Sequence, residues 1–181
     1  MIRPETPGFP GLALTGRFLR CESGAQAIEF AMISPMVIAL LLATLQVALI
    51  FLAKAYLETA AESAARFVMT NQANAMTQAQ FQTQVCNEIG ALFSCANLIV
   101  ELEEAPSSAS QMSSAMPQFN AAGALTSPTS YGIAAAPAKM ILIVMYQWPI
   151  FGSGVGLNFS NLGNGTLLMT STQIFQIEPT T

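Results

Sequence analysis

The longest apolar stretch of the chain lies between Glu29 and Lys54, where residues 30–53 contain no charged side chain. A helix of these 24 residues is about 36 Å long, which exceeds the roughly 30 Å of a bilayer's hydrocarbon core. The pattern therefore predicts one membrane-spanning helix. A cleaved secretory signal is the alternative, with Ala53 and Ala55 as the small residues of its cleavage site. Length argues against it, because the apolar region of a signal peptide is about 7 to 15 residues long.

The helix is predicted to continue past the apolar stretch, because residues 54–69 contain no Gly or Pro and are dense in Ala and Leu. Glu58, Glu62 and Arg66 recur every four residues and form one polar stripe. Another face carries small and apolar residues, namely Leu57, Ala61, Ala64 and Val68. That face either belongs to the protein's own core, beside a solvated stripe, or forms a small-residue seam against neighbouring helices.

Three later segments have the patterns of β-strands. Residues 97–103 alternate Leu and Val with Glu101 and Glu103, which is typical of a half-buried strand. Residues 139–148 are almost continuously apolar but too short to span a membrane as a helix, which predicts the central strand of a small sheet. Residues 167–177 are rich in Thr, and the glycine-rich stretch before them predicts a hairpin loop.

The segments between these elements are polar or broken. Residues 70–84 form either a weak second helix or a loosely ordered link. Residues 105–137 contain Ser, Ala, Pro, Met and Gly without a charge, which predicts a surface excursion that is mobile or ordered by a partner. The predicted fold is therefore α+β. A long N-terminal helix, transmembrane in its first half, covers 25–69 and is followed by a small antiparallel β-sheet domain over 70–181.

Composition removes most enzyme chemistry. The chain is 52% hydrophobic and 9% charged, against roughly 25% charged in soluble domains. It contains no His and no Asp, so the usual general bases, catalytic triads and two-metal sites cannot be assembled. We therefore expect no enzyme, and no catalytic, cofactor or metal site. A net charge of −4 leaves no basic surface for nucleic acid, and no small-molecule substrate is evident.

The charges also orient the span. Three arginines precede the apolar stretch, while seven glutamates and only three basic residues follow it. The positive-inside rule then places the N-terminus in the cytoplasm and the bulk of the chain across the membrane.

Cys86 and Cys95 lie in an oxidising compartment if this orientation holds. A disulfide that closes the short loop 86–95 would contribute about 2 to 3 kcal/mol. A metal site is the competing interpretation, which is disfavoured because two thiols and no His do not complete four ligands. The third cysteine, Cys21, precedes the span and is expected to stay reduced.

The most specific pattern lies at the start of the apolar stretch. An ionisable Glu29 at the lip of a membrane helix either ends the hydrophobic run at headgroup level or carries a function. Pro35, inside the stretch, is expected to kink the helix or free a carbonyl for a neighbour. The full pattern is Gly24-Ala25-Gln26-Ala27-Ile28-Glu29-Phe30, then Pro35, then an alanine-rich run that ends in Ala65-Arg66. It resembles the class III signal of type IV pilins and, over residues 24–66, the TadE-like family.

The resemblance implies a pilin-like fold and processing by a prepilin peptidase. Cleavage would fall between Gly24 and Ala25 and would remove residues 1–24 as a cytoplasmic leader. Glu29 and Phe30 would then serve processing and assembly. The free amine on Ala25 of one subunit could pair with the Glu29 carboxylate of a neighbour, which offsets part of the cost of burying both charges.

The function that the resemblance implies is that of a minor pilin or pseudopilin of a Flp-type tight-adherence pilus. Such a protein is anchored in the inner membrane by a single span, with its C-terminal domain in the periplasm, and either enters the pilus or stays in the membrane. Its partners would be the prepilin peptidase, other pilins and the Tad assembly machinery. The alternative is an uncleaved single-span protein whose periplasmic domain binds a ligand or an envelope component, with Glu29 merely interfacial.

Overall fold

The computed structural model describes residues 23–90, 93–107, 116–120, 122–127, 129–151 and 158–177. Most of the expected leader, with Cys21, lies outside these ranges. In chain order the elements are helix α1 (Ser23–Met69), helix α2 (Gln78–Ile89), a 3-10 turn (Cys95–Asn97), and strands β1 (Leu98–Glu104), β2 (Ala138–Pro149) and β3 (Thr166–Ile177). A long N-terminal helix followed by three strands confirms the predicted α+β class.

Helix α1 is 47 residues long and continues through Pro35. The chain divides into two compact units, residues 1–44 and 45–181, so α1 begins in the first unit and ends in the second. Among the described residues, α1 is the one helix long and apolar enough to cross a membrane. The predicted span is confirmed at this level, whereas a kink at Pro35 remains a prediction.

In the second unit, the C-terminal part of α1 packs on a three-stranded sheet. Its small and apolar face is buried, with Leu57 and Ala61 fully inaccessible. The same core cluster contains Met140, Leu142 and Val144 of the central strand. This arrangement confirms the core interpretation of that face, because the small alanine side chains let the helix approach the sheet closely.

The sheet is antiparallel with the order β1-β2-β3. Leu142 lies between Leu102 of β1 and Gln173 of β3, so β2 is central, as predicted. Successive strand residues face opposite sides, and β2 is apolar on both. Its even-numbered residues face α1, while Ile141, Ile143 and Met145 form a second buried cluster on the other side.

The segment 105–137 supplies the cover for that second cluster. Phe119 and Ala105 pack against the cluster, and Tyr131 forms a parallel bridge with Leu102 of β1. A mobile or partner-ordered excursion over 105–137 stays a prediction, but Ala105, Phe119 and Tyr131 are packed on the sheet. The physical reason is the pattern of β2, because a strand that is apolar on both faces needs a layer on each side.

Helix α2 resolves the ambiguity of residues 70–84. The Thr77 hydroxyl accepts a hydrogen bond from the Gln80 backbone N–H, and the Gln80 side chain accepts one from the Thr77 N–H, so the two form a capping box. Phe81 and Val85 point into the core beside α1. A helix therefore starts at Gln78, later than position 70, where the segment with the possible second helix begins.

Candidate functional site

The residues expected to govern processing lie on the first two turns of α1 and are exposed. Gly24, Ala25 and Glu29 are all solvent-accessible, and Phe30 is 73% exposed. A Cβ built on Gly24 would meet no atom of the described residues within 4 Å. Nothing in the described structure therefore requires glycine at this position, although glycine weakens a helix by roughly 1 kcal/mol relative to alanine.

Ala25 and Glu29 are four residues apart on the same helix and so lie on one face, a single turn from each other. The first turn of α1 contains no acidic residue. If the chain began at Ala25, Glu29 would lie close to the helix N-terminus, where unpaired N–H groups and the helix dipole favour a negative charge. The same carboxylate is thus better placed electrostatically in a shortened chain.

The apolar side chains of the first half of α1 have no cover within the described protein. Ile28 is 63% exposed, and the pattern continues through Leu40, Leu41 and Phe51. Exposure on this scale marks a surface that lipid or other helices cover. The exposed stretch ends at Ala53, which is only 1% exposed. Lys54, the next residue, is the first charged residue after the apolar stretch.

Cys86 and Cys95 are joined by a disulfide, with their Cα atoms 5.6 Å apart. The bridge links the last turn of α2 to the 3-10 turn that leads into β1. Between them, Phe93 packs edge-on against Tyr146, with ring centroids 4.7 Å apart, and the Ser94 backbone N–H donates to the Tyr146 hydroxyl at 3.0 Å. The loop 86–95 is therefore fastened to β2 as well as closed on itself.

One buried carboxyl escaped the sequence analysis. Glu101 is only 4% exposed, where the alternation of β1 predicted an exposed face. Its Oε1 accepts a hydrogen bond from the Ser130 backbone N–H at 3.3 Å, while Oε2 has no partner among the residues that the structure describes. Burial, and to a smaller extent the nearby Glu103, raise the pKa of Glu101 against the opposing effect of the Ser130 hydrogen bond. No local signal reveals this site, since the cover comes from a segment 29 residues away.

A small cavity lies between α1 and α2. Its volume is about 220 Å³, and its lining includes Arg66, Phe67, Phe81 and Glu88. Pockets for small ligands usually measure roughly 300 to 1,000 Å³. Among the described residues, no group of three or more Cys, Asp or Glu side chains could hold a metal ion.

Residues 24–66 match the family model of TadE-like proteins. The match begins at the second residue of α1 and ends at Arg66, inside the part of the helix that packs on the sheet. It confirms the resemblance seen in the sequence over this segment. No curated protein and no solved structure matches the chain.

Proposed function

We propose that this chain is a minor pilin or pseudopilin of a Flp-type tight-adherence pilus, processed by a prepilin peptidase and without catalysis of its own. The observation that carries the proposal is a coincidence of position. The TadE-like segment, residues 24–66, begins within two residues of the start of an exposed apolar helix. A helix of this kind supports both membrane anchoring and packing against other subunits.

Cleavage between Gly24 and Ala25 is supported by the lack of any internal reason for Gly24. Its missing side chain leaves open space, and glycine is a poor residue for a helix. An enzyme that must bring its active site close to the backbone would benefit from a residue without a Cβ. The exposure of Gly24 and Ala25 is consistent with such access.

In the proposed orientation α1 crosses the inner membrane, with the N-terminus in the cytoplasm and the sheet domain in the periplasm. Arginines precede the apolar stretch, which favours that orientation. The Cys86–Cys95 disulfide supports it independently, because structural disulfides form in oxidising compartments. The Tad assembly machinery and other pilins would then meet the domain on the outer side of the membrane.

Glu29 is proposed to act in assembly. Glu29 directly precedes the uncharged stretch 30–53. An unpaired carboxylate costs a few kcal/mol at the centre of a bilayer and less near its surface. The amine released on Ala25 of a neighbouring subunit would neutralise it when the helices stack. Removing one of the two charges should therefore cost more than removing both.

The test is the intact mass and N-terminal sequence of the full chain purified from its native membrane. A start at Ala25 would support the proposal. A start at Met1 would contradict it and favour an uncleaved single-span protein with a periplasmic binding domain. A start near Tyr56 would also contradict it, since the apolar stretch would then be a removed signal peptide.

A further inference from the structure

The two edges of the sheet are treated differently. Most outward groups of β1 between Leu98 and Leu102 bond to other parts of the protein itself. Gln82 and Gln78 of α2 donate their side-chain amides to the carbonyls of Leu98 and Val100. The N–H and C=O of Leu102 bond to Ser130 and Gly132 at 3.0 and 2.8 Å. The Leu98 N–H donates to the Cys95 carbonyl, so among the outward groups of these three residues only the Val100 N–H lacks a partner in the described part of the chain. Helix α2 and residues 129–132 thus cover the edge that an added strand would need.

These bonds also fix which groups of β3 point outward. In an antiparallel ladder the N–H and C=O of one residue point to the same side, and alternate residues point to opposite sides. Since Val100 and Leu102 bond outward, the even-numbered residues of β2 must bond to β3. Val144 is opposite Ser171, so the odd-numbered residues of β3 bond inward and its even-numbered residues bond outward.

The first part of this outer edge is closed as well. Asn161 caps both outward groups of Leu168, because its Oδ1 accepts from the Leu168 N–H at 2.7 Å and its Nδ2 donates to the C=O at 3.2 Å. The Leu162 N–H donates to the carbonyl of Thr166. The edge is therefore capped up to Leu168.

Beyond Leu168 the edge is open. Within the part of the chain that the structure describes, the outward N–H and C=O groups of Thr170, Thr172, Ile174 and Gln176 have no partner. The strand also lacks the usual protection of an exposed edge, because β3 contains no charged residue, no proline and no glycine. Ile174 is 59% exposed on the face opposite α1.

A polar cleft of about 500 Å³ runs beside this open edge. One wall is formed by Thr170 to Gln173 of β3. The other wall is formed by α1, through Lys54, Glu58 and Glu62. The Lys54 ammonium lies 3.9 Å from the Glu58 carboxylate, a weak contact between two half-exposed side chains. Glu62 is paired with Arg66, whose guanidinium lies 2.9 Å from the carboxylate, so both glutamates beside the cleft have a cationic partner on α1 and the cleft is polar without an excess of charge.

We infer that the edge of β3 from Thr170 to Gln176 accepts one extended strand from a different protein of the assembly. The donor segment is about seven residues long, with polar side chains on the face that meets the cleft lined by Thr170 to Gln173. On the other face it carries an apolar side chain beside Ile174. Main-chain hydrogen bonds supply the affinity, and the alternating side chains supply the selectivity.

A second copy of this chain fits the edge less well. Antiparallel pairing of β3 with itself needs a two-fold axis perpendicular to the sheet. Because α1 lies against the sheet face, that axis would reverse α1 in the second copy, whereas two chains anchored in one membrane need parallel helices. The identity of the donor as a pilus subunit rests on the proposed function, but the open edge does not.

The test is site-specific photo-crosslinking of the full chain in its native membrane. A photoreactive residue replaces Ile174, and a control replaces Glu88, which is exposed on α2. Thr172→Pro removes one outward N–H without touching the β2–β3 ladder, and Thr172→Val changes the side chain but keeps that N–H. If Thr172→Pro does not accumulate as a folded protein, Thr170→Lys blocks the edge with a charge instead.

We expect an adduct from position 174 only, whose partner peptide, identified by mass spectrometry, comes from another subunit and has the alternating pattern above. Thr172→Pro should lower its yield about tenfold or more, because a strand carbonyl of the donor loses its partner, while Thr172→Val should not. Absence of the adduct, an adduct of twice the chain's own mass, or equal yields from both variants would overturn the inference. The N-terminus of the same sample is read separately: a start at Met1 with the adduct present refutes only the proposed processing, and a start at Ala25 without it refutes only the strand acceptor.

Discussion

The backbone N–H of Ser130 donates to Oε1 of Glu101 at 3.3 Å, and this bond fastens the segment 129–132 to β1. The bonds of Leu102 to Ser130 and Gly132 run directly beside it. A buried carboxyl thus holds one layer of the domain, but within the described ranges its second oxygen has no partner. The site contributes to the arrangement of the domain and at the same time lowers its stability at neutral pH.

The stability of the sheet domain should rise as pH falls from neutrality. The folded-state pKa of Glu101 is raised above its ordinary value of 4.5, so the folded chain binds the proton more tightly than the unfolded chain. The contribution is complete below 4.5 and is lost as pH rises through the raised pKa. Denaturant unfolding of the full chain in detergent, repeated across this window, measures the effect.

Glu101→Gln should flatten that dependence and leave the domain more stable than the native chain at pH 7. Glu104→Gln removes an equal but exposed charge and serves as the matched control. Identical pH profiles for Glu101→Gln and the native chain would contradict the assignment.

Reducing the Cys86–Cys95 disulfide should lower the free energy of unfolding by about 2 to 3 kcal/mol, because the bridge restricts the unfolded chain. Denaturant titration with and without reductant gives the difference. The double variant Cys86→Ala, Cys95→Ala should start at the lower value and show no response to reductant. Equal stability of the oxidised and reduced native chain would disprove a structural role.

Leu57→Ala should destabilise the sheet domain by about 2 to 5 kcal/mol, since this fully buried side chain would leave a cavity between α1 and the sheet. Leu40→Ala deletes the same atoms from the exposed, apolar half of α1 and should leave unfolding of the domain unchanged. Far-ultraviolet circular dichroism during chemical denaturation compares the two. Equal losses of stability in the two variants would contradict the division of α1 into an exposed apolar half and a half buried against the sheet.

Glu29→Ala should abolish pili while cleavage at Gly24 proceeds, because the amine on Ala25 would lose its partner in neighbouring subunits. Electron microscopy of cells, with the mass of the protein from the same culture, separates the two steps. Glu88→Ala removes an exposed charge from α2 and is the matched control, which should leave pili normal. Normal pili in the Glu29 variant would favour an interfacial role for that residue.

Gly24→Val should reduce processing strongly, since a branched Cβ would obstruct an enzyme at the scissile bond. It should leave the unfolding of the sheet domain unchanged, because no described atom lies within 4 Å of this Cβ position. The ratio of full-length to mature protein on a gel measures the loss. Processing at the native rate would show that Gly24 is not the recognised residue.

The elements that the sequence predicts well are those specified by long, uninterrupted apolar runs. The uncharged stretch from Phe30 to Ala53 specifies α1, and the apolar run Met140 to Tyr146 can only be a central strand. In both cases local composition allows one physical environment. The Cys86–Cys95 pair is similar, because the absence of His leaves the disulfide as the simpler outcome.

The features that the sequence misses depend on segments that meet only in the folded chain. Phe119 is an isolated apolar residue in the sequence, but in the fold it packs against the cluster of Ile141, Ile143 and Met145. The alternation of β1 predicts an exposed Glu101, but in the fold Glu101 is buried and bonds to Ser130. The capping of Leu168 by Asn161 is equally invisible, since Asn in a glycine-rich stretch usually indicates a turn. Such contacts follow from the sheet's register and not from local propensity.

The bonds of Gln78 and Gln82 to β1 limit how many further strands can add to this sheet. A sheet with two open edges can propagate, whereas one with a single open edge has a valence of one. Such a subunit accepts a strand but offers none onward, so it ends a row of strands instead of extending it. By covering the edge of β1, Gln78 and Gln82 would keep the sheet domain from propagating into fibres and would restrict it to a fixed stoichiometry with its partner.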